Sequence, residues 1–371
     1  MQGKEIRERV FYLDVVRAVA IVLVLMTHSF FAKYPEGMAY TESDALFGSF
    51  YLFTLSCNGM FFMLSGALVL DKEIRQGYGF FWKRIARFLL LLAVWAVVTN
   101  VCGYVFHGMP FWEAVWQSVR YHSILIGGWS GYASYLWFMT VIVHLYVAAP
   151  FLARMVRDMP SRMYWIFVAA TCVFMLLPGS FDYQHQLRSF IDADNALIWG
   201  QFNVFGSFAS WFILGYLFFR TDTEEWLGRY VRHYNLLLVC LLLFSALAGG
   251  YLEYRWTIAD NLHFYAPLLT FSSSIFTFVN SILLFLLCKH LAAYLTGWRR
   301  WIEIVSCHSF GIYLVHFGIL FGVRYLLESV GIGPEGHPAK VYFSCLFLLF
   351  VFSLTASILL GKVRCLRWLI K

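Results

Sequence analysis

Charge is scarce in this sequence. Asp, Glu, Lys and Arg make up only 13% of the 371 residues against 61% apolar ones, and the mean hydropathy is +0.68. An ordinary soluble domain carries about a quarter charged residues, so that class is excluded and an integral membrane protein is implied. Long polar connections are missing too: no soluble domain, low-complexity tract or internal repeat interrupts the apolar runs. Any chemistry must therefore lie within the bundle or at its mouths. The eight cysteines (Cys57, Cys102, Cys172, Cys240, Cys288, Cys307, Cys345, Cys365) contain no C-x-x-C spacing, and most sit in apolar runs. They read as small buried hydrophobes rather than a disulfide or metal framework, so no metal is expected. The net charge of +7 lacks the water-exposed basic face that nucleic acid needs; the basic residues fall between apolar spans and topology accounts for them. The first apolar run is too long for a signal peptide, contains ionisable residues and lacks a small-x-small cleavage site, which marks it as a retained helix.

What is present is a series of apolar runs long enough to span a bilayer, at 11–32, 47–70, 81–106, 133–153, 162–179, 203–219, 234–252, 265–288, 302–326 and 341–361. The fifth and sixth are the shortest. Aromatics at 20% suit a helical bundle with rings in its interior and at both interfaces. Alternating the ten runs from a cytoplasmic N-terminus leaves only Lys33, Arg120, Arg188, Arg255, Arg324 and Lys340 of the 28 basic residues outside, as the positive-inside rule requires. The expected fold is thus an all-α integral membrane protein, a bundle of about ten transmembrane helices forming one domain over residues 1–371, with both termini cytoplasmic. The longest external connection, 107–131, contains a stretch with the spacing of a short amphipathic interfacial helix at 110–119. A lid over an external site and a packing loop are both compatible with it.

The first run holds Asp14, Arg17 and His28, and ionisable groups inside a span are costly enough to mark function. Eleven steps of about 100° bring His28 back to within about 20° of Arg17, while the rise of about 1.5 Å per residue separates them by about 16 Å. Asp14 lies on the same surface, placed to pair with Arg17. Lys83, Arg84 and Arg87 open the third run, with Lys83 and Arg87 one turn apart; they read as topological anchors or as a clamp for nucleotide phosphates. A cytoplasmic phosphate group joined by a flexible arm to a reactive end near His28 describes a coenzyme A thioester.

Five segments carry a family resemblance. LDVVRAVAIVLVLMTHSF has Arg17 and His28 separated by ten residues, FFMLSGALVL has Phe61, Phe62, Ser65 and Gly66, and FWKRIARF opens the third run. YLWFMTVIVHLYVAAPFL and HSFGIYLVHF, the latter with Ser309, Tyr313 and His316, follow in order. Together they resemble the acyltransferase-3 family of membrane O-acyltransferases over nearly the whole length. The paired glutamates that some members have after the position of Trp137 are replaced by Ile142 and Val143, and no extracytoplasmic hydrolase-like domain is appended. The resemblance implies transfer of an acetyl or similar group from acetyl-CoA, the donor substrate, to a hydroxyl of a saccharide or lipid-linked glycan, in a multi-pass protein of the bacterial inner (plasma) membrane.

On this reading His28 is the general base or a transient acyl carrier, with a structural hydrogen-bonded histidine as the alternative. Arg17 stays charged and binds an anionic part of the donor or orders its path. Arg17, Lys83, Arg84, Arg87 and Ser65 form the expected donor site, although Ser65 with Gly66 also permits close helix approach. Trp137, Tyr313, His316 and Glu113 are expected to line the acceptor site; packing, helix-to-helix hydrogen bonding and a solvated loop are their alternatives. His144 and His308 read as structural. Glu113, Asp182, Asp192, Asp194, Glu253 and Asp260 are outer acids suited to sugar hydroxyls or to solvated loops. Membrane lipids are the remaining partner. A ten-helix secondary transporter using Asp14, Arg17 and His28 as a relay, and a non-catalytic scaffold, are the competing classes.

Overall fold

The computed structural model describes residues 10–33, 46–47, 49–76, 79–121, 131–173, 207–221, 233–259, 274–333, 336–364 and 367–370. Asp182, Asp192, Asp194 and Asp260 lie outside them. Every regular element among the described residues is helical, as expected where lipid offers no partner for backbone N–H and C=O groups. In chain order the helices are α1 (Phe11–Lys33), α2 (Ser56–Gln76), α3 (Gly79–Phe106), α4 (Phe111–Tyr121), α5 (Trp137–Val156) and α6 (Ser161–Thr171). They continue with α7 (Ser207–Arg220), α8 (Tyr234–Ala259), α9 (Ile275–Leu291), α10 (Arg299–Ser329) and α11 (Pro338–Lys362). A helical turn, Tyr51–Thr54, precedes α2, and 3-10 segments at Gly131–Leu136 and Ala292–Trp298 lead into α5 and α10.

Seven stretches of these helices are long and apolar enough to cross a membrane: Phe11–Phe30, Tyr51–Asp71, Trp82–Phe106, Gly131–Val156, Tyr234–Arg255, Ile275–Ser329 and Pro338–Lys362. The sixth holds two helices, α9 and α10. Each of the ten expected runs carries a helix, but α6 and α7, at the two shortest runs, fall below spanning length as described, with 11 and 14 residues.

α1 sits at the centre, packed against α2, α9, α10 and α11. Its sequence has neither glycine nor proline, so nothing interrupts the backbone ladder. Val16, Ala20, Ile21 and Leu25 are completely buried. By contrast α8 exposes Leu237, Leu241, Phe244, Leu247 and Tyr251 along one side, a ridge suited to lipid. The closest approach is between α2 and α7. A Cβ on Gly66 would overlap the Phe212 carbonyl, and one on Gly215 would overlap that of Met63. Both glycines are therefore required by contact, as at other small-residue membrane crossings.

The ends of several helices meet at one end of the bundle. Lys289 on α9 donates to the carbonyls of Phe218 and Thr221, both at 2.8 Å, closing the C-terminus of α7. It also lies 5.7 Å from the Tyr12 ring at the start of α1, while Arg220 reaches the Arg157 carbonyl after α5. All four segments fall on the same side in the charge-based alternation. At the other end, Gly108 (φ +88°) turns the chain out of α3 in a conformation that favours glycine. α4 follows, with Ala114 and Ser118 fully buried and Trp112 79% exposed. The amphipathic helix expected there is present, and Trp116 and Val119 continue its exposed apolar stripe.

Candidate active site

Two side-chain clusters tie α1 to α10. Near the start of α1, Arg17 Nη1 lies 3.4 Å from Asp14 Oδ1 and donates to Ser306 Oγ at 3.1 Å. Ser306 in turn donates to Asp14 Oδ1. The expected Asp14–Arg17 pair is thus present, closed into a triangle by a hydroxyl from α10. Asp14 and Ser306 are buried, whereas the Arg17 side chain keeps 27% of its surface exposed.

Farther along both helices, the rings of His28 and His316 lie 4.8 Å apart between centroids, tilted at 45°. Phe317 meets His28 edge-on at 5.3 Å. Tyr135 stacks on Phe317 at 5.1 Å and 8°, and meets His316 edge-on at the same distance. The two clusters place residue 17 opposite 306 and residue 28 opposite 316, so α1 and α10 run parallel and in register. Tertiary packing brings His28 and His316 together from opposite ends of the chain. Sequence periodicity shows nothing of that contact.

Backbone hydrogen bonds hold this aromatic box rigid. The Tyr135 hydroxyl donates to the Leu314 carbonyl at 2.8 Å and lies 3.1 Å from Thr99 Oγ1. Reciprocally, the Tyr313 hydroxyl donates to the Tyr135 carbonyl at 2.8 Å. The 3-10 segment needs such partners because its carbonyls have no water to turn to at membrane depth. Tyr313 therefore fits the helix-to-helix hydrogen bonding weighed from sequence, while its ring remains 5.9 Å from His316. His316 Nδ1 lies 2.6 Å from the Tyr313 carbonyl, and its side chain is completely buried.

From His316 a file of aromatic rings leads back toward the basic start of α3. Tyr313 stacks on Phe310 at 6.5 Å, Phe310 meets Phe88 at 5.8 Å, and the Arg84 guanidinium lies 5.9 Å from the Phe88 centroid and 5.2 Å from that of Tyr146. The basic trio divides its contacts: Arg84 is half-buried on these rings, Lys83 is exposed, and exposed Arg87 donates to the Trp368 carbonyl at 3.5 Å. Ser65 is half-buried beside Gly66, whose contact with α7 supports the close-approach alternative.

Other expected residues stand apart from the histidine pair. Trp137 packs against Phe138 and Phe208 at 6.0 and 5.9 Å, one ring removed from Tyr313. Glu113 is exposed on α4. Glu253, in contrast, is 1% exposed within α8, so the solvated-loop alternative does not hold for it. His308 Nδ1 lies 3.0 Å from Ser357 Oγ and joins α10 to α11, a structural contact of the kind expected. Between Arg17 and His28, Ile21 and Val24 occupy the same face of α1 and are buried. The polar stripe is thus two polar clusters separated by apolar packing. Ser306, Tyr135 and Phe317 went unnoticed in the sequence, although Tyr135 opens one of the quoted motifs and Ser306 stands three residues before Ser309. Among the described residues, no three His, Cys, Asp or Glu side chains converge as metal ligands.

Comparison with curated proteins and with solved structures returns no match. The model of one family, described as an acyltransferase domain, matches residues 10–362. That match spans both clusters and every helix described, so the chain belongs to the acyltransferase-3 family and is a multi-pass membrane acyltransferase.

Proposed function

We propose that this acyltransferase moves an acetyl or similar short acyl group from cytoplasmic acyl-CoA to a hydroxyl of a cell-envelope saccharide or lipid-linked sugar, in the bacterial inner membrane. The buried His28–His316 pair, about 16 Å along α1 from the partly exposed Arg17, is the observation that carries this reading. A thioester is already activated for attack, and the missing element is a base for a weakly nucleophilic alcohol. His28 supplies that base or carries the acyl group transiently. Arg17, with Lys83, Arg84 and Arg87, holds the phosphates of the donor. For the pantetheine arm to pass from Arg17 to His28, the apolar packing of Ile21 and Val24 between the two clusters has to part. The acceptor enters from the opposite mouth.

The whole chain acts as one transmembrane domain of ten spans with cytoplasmic termini. The parallel α1–α10 pair supports that topology, because an odd number of crossings must separate two helices running in the same direction. Seven of the ten proposed spans, α2, α3 and α5 to α9, lie between them and satisfy this condition.

Mass spectrometry of cell-envelope glycans from cells with and without the protein tests the proposal. A difference of one acyl group on a defined glycan is the expected result and identifies donor group and acceptor together. Identical glycan profiles would remove it. Transfer of labelled acetyl in detergent without any ion gradient separates this activity from transport.

A further inference from the structure

We propose that His316 is a catalytic residue in its own right, the general base that takes the acceptor hydroxyl's proton, rather than only a wall of the site. The inference rests on the acyl-transfer reading above and assigns its proton. A backbone carbonyl can only accept, so the 2.6 Å contact between His316 Nδ1 and the Tyr313 carbonyl requires the proton to sit on Nδ1. That contact fixes both the tautomer and the ring. Nε2 is left with a lone pair, and it finds no hydrogen-bond partner among the described residues although the side chain is completely buried. Buried polar atoms are nearly always satisfied, and an orphaned one calls for an explanation.

Here the orphaned atom has the form of a prepared base: its opposite nitrogen is oriented by an acceptor, as in other nucleophile-activating histidines. Tyr135 and Phe317 pack against the ring at 5.1 and 6.1 Å and restrict its rotation. His28 is the titratable neighbour across the helix interface, 4.8 Å away. Tyr135 faces the pair from the 3-10 segment, and Tyr313 faces it from α10 itself.

The step balances without another co-reactant. The alcohol oxygen forms a bond to the thioester carbonyl carbon as its proton passes to His316 Nε2. The carbon–sulfur bond breaks, and the proton returns to the departing thiolate. Of the two roles given to His28 above, it keeps contact with the acyl group, and the role of base passes to His316. A route through acyl-His28 needs a second base more strongly still, because an acylated imidazole nitrogen cannot accept the alcohol proton.

Inverted membrane vesicles supplied with labelled acetyl-CoA test the assignment, with their lipid-linked glycans as the acceptor of the proposed reaction. Vesicles with wild-type protein should transfer label above vesicles from cells lacking it. His316→Gln should lower the maximal rate at least about 100-fold with an unchanged KM for acetyl-CoA and an unchanged melting temperature in detergent. Glutamine and asparagine both keep an amide N–H donor, asparagine at the position of Nδ1, and neither offers a comparable base, so a purely structural role would be rescued by an amide. A rate within threefold of wild type overturns the inference and leaves the acyl-transfer reading standing. If wild-type vesicles transfer no more label than those lacking the protein, the acyl-transfer reading falls and the inference with it. Should His316→Gln fail to fold, His316→Asn replaces it; failure of both assigns His316 to packing and overturns the proposal.

Discussion

The Asp14–Arg17–Ser306 cluster and the His28–His316 box join the same two helices, yet they differ in how completely their polar groups are used. In the first, a carboxylate accepts from both a guanidinium and a hydroxyl, and the hydroxyl bridges the two charges. In the second, aromatic rings surround two imidazoles, and His316 Nε2 has no partner among the described residues. A closed hydrogen-bond triangle fixes helix register. An open nitrogen held in a rigid box is prepared for a substrate. The difference suggests that one cluster chiefly sets the α1–α10 alignment while the other carries the chemistry aligned by it.

The largest expected effect falls on the open box. His28→Ala should reduce labelled acyl transfer by roughly 10² to 10⁴-fold while the melting temperature in detergent stays near that of wild type. A fall in melting temperature with turnover preserved would reverse the contrast between the clusters. Next in size is Asp14→Ala, which leaves the partly exposed Arg17 without its carboxylate. It should cost about 3 kcal/mol, the lower end for breaking a buried pair, read as a lowered denaturation midpoint. No shift in that midpoint would show that the triangle is not what aligns α1 with α10.

Ser306→Ala removes only the bridging hydroxyl and should cost about 1.5 kcal/mol. Because Arg17 loses its contact with Ser306, the KM for acyl-CoA should also rise severalfold in steady-state assays. An unchanged KM would confine Ser306 to stability. The smallest effect is expected from Tyr135→Phe, which deletes the hydrogen bond to Leu314 and the contact with Thr99. Interhelical hydrogen bonds in membranes contribute about 0.6 kcal/mol on average. The variant should therefore melt only slightly earlier, while a severalfold loss of turnover would show that the box must be rigid to work.

Much of the architecture was legible in the sequence because apolar runs between basic connections have few alternatives in a bilayer. The positions of the helices, the interfacial α4 and the Asp14–Arg17 pairing all follow from local periodicity. The stripe on α1 was only half legible. The angle shared by Arg17 and His28 is real, but Ile21 and Val24 close the face between them. Tyr135 and Trp137 stand two residues apart in one motif, and only the packing of the 3-10 segment on α10 makes the smaller ring the one that meets His316. Glu253 read as a loop acid because the seventh run ends at 252; α8 continues to Ala259 and carries the carboxyl inward.

By itself the sequence determined that this chain enters a membrane, where its helices lie and which family it belongs to. Composition, period and motif order are local properties, and they survive without coordinates. Only the tertiary structure decided that His28 meets His316, that Ser306 closes the Arg17 triangle and that Tyr313 gives its hydroxyl to a neighbouring backbone. The first two contacts join residues nearly 300 positions apart and exist because α1 and α10 pack in parallel at one particular register; the third joins α10 to the 3-10 segment before α5. Moving either helix by a single residue would turn each side chain by about 100° and dissolve both clusters.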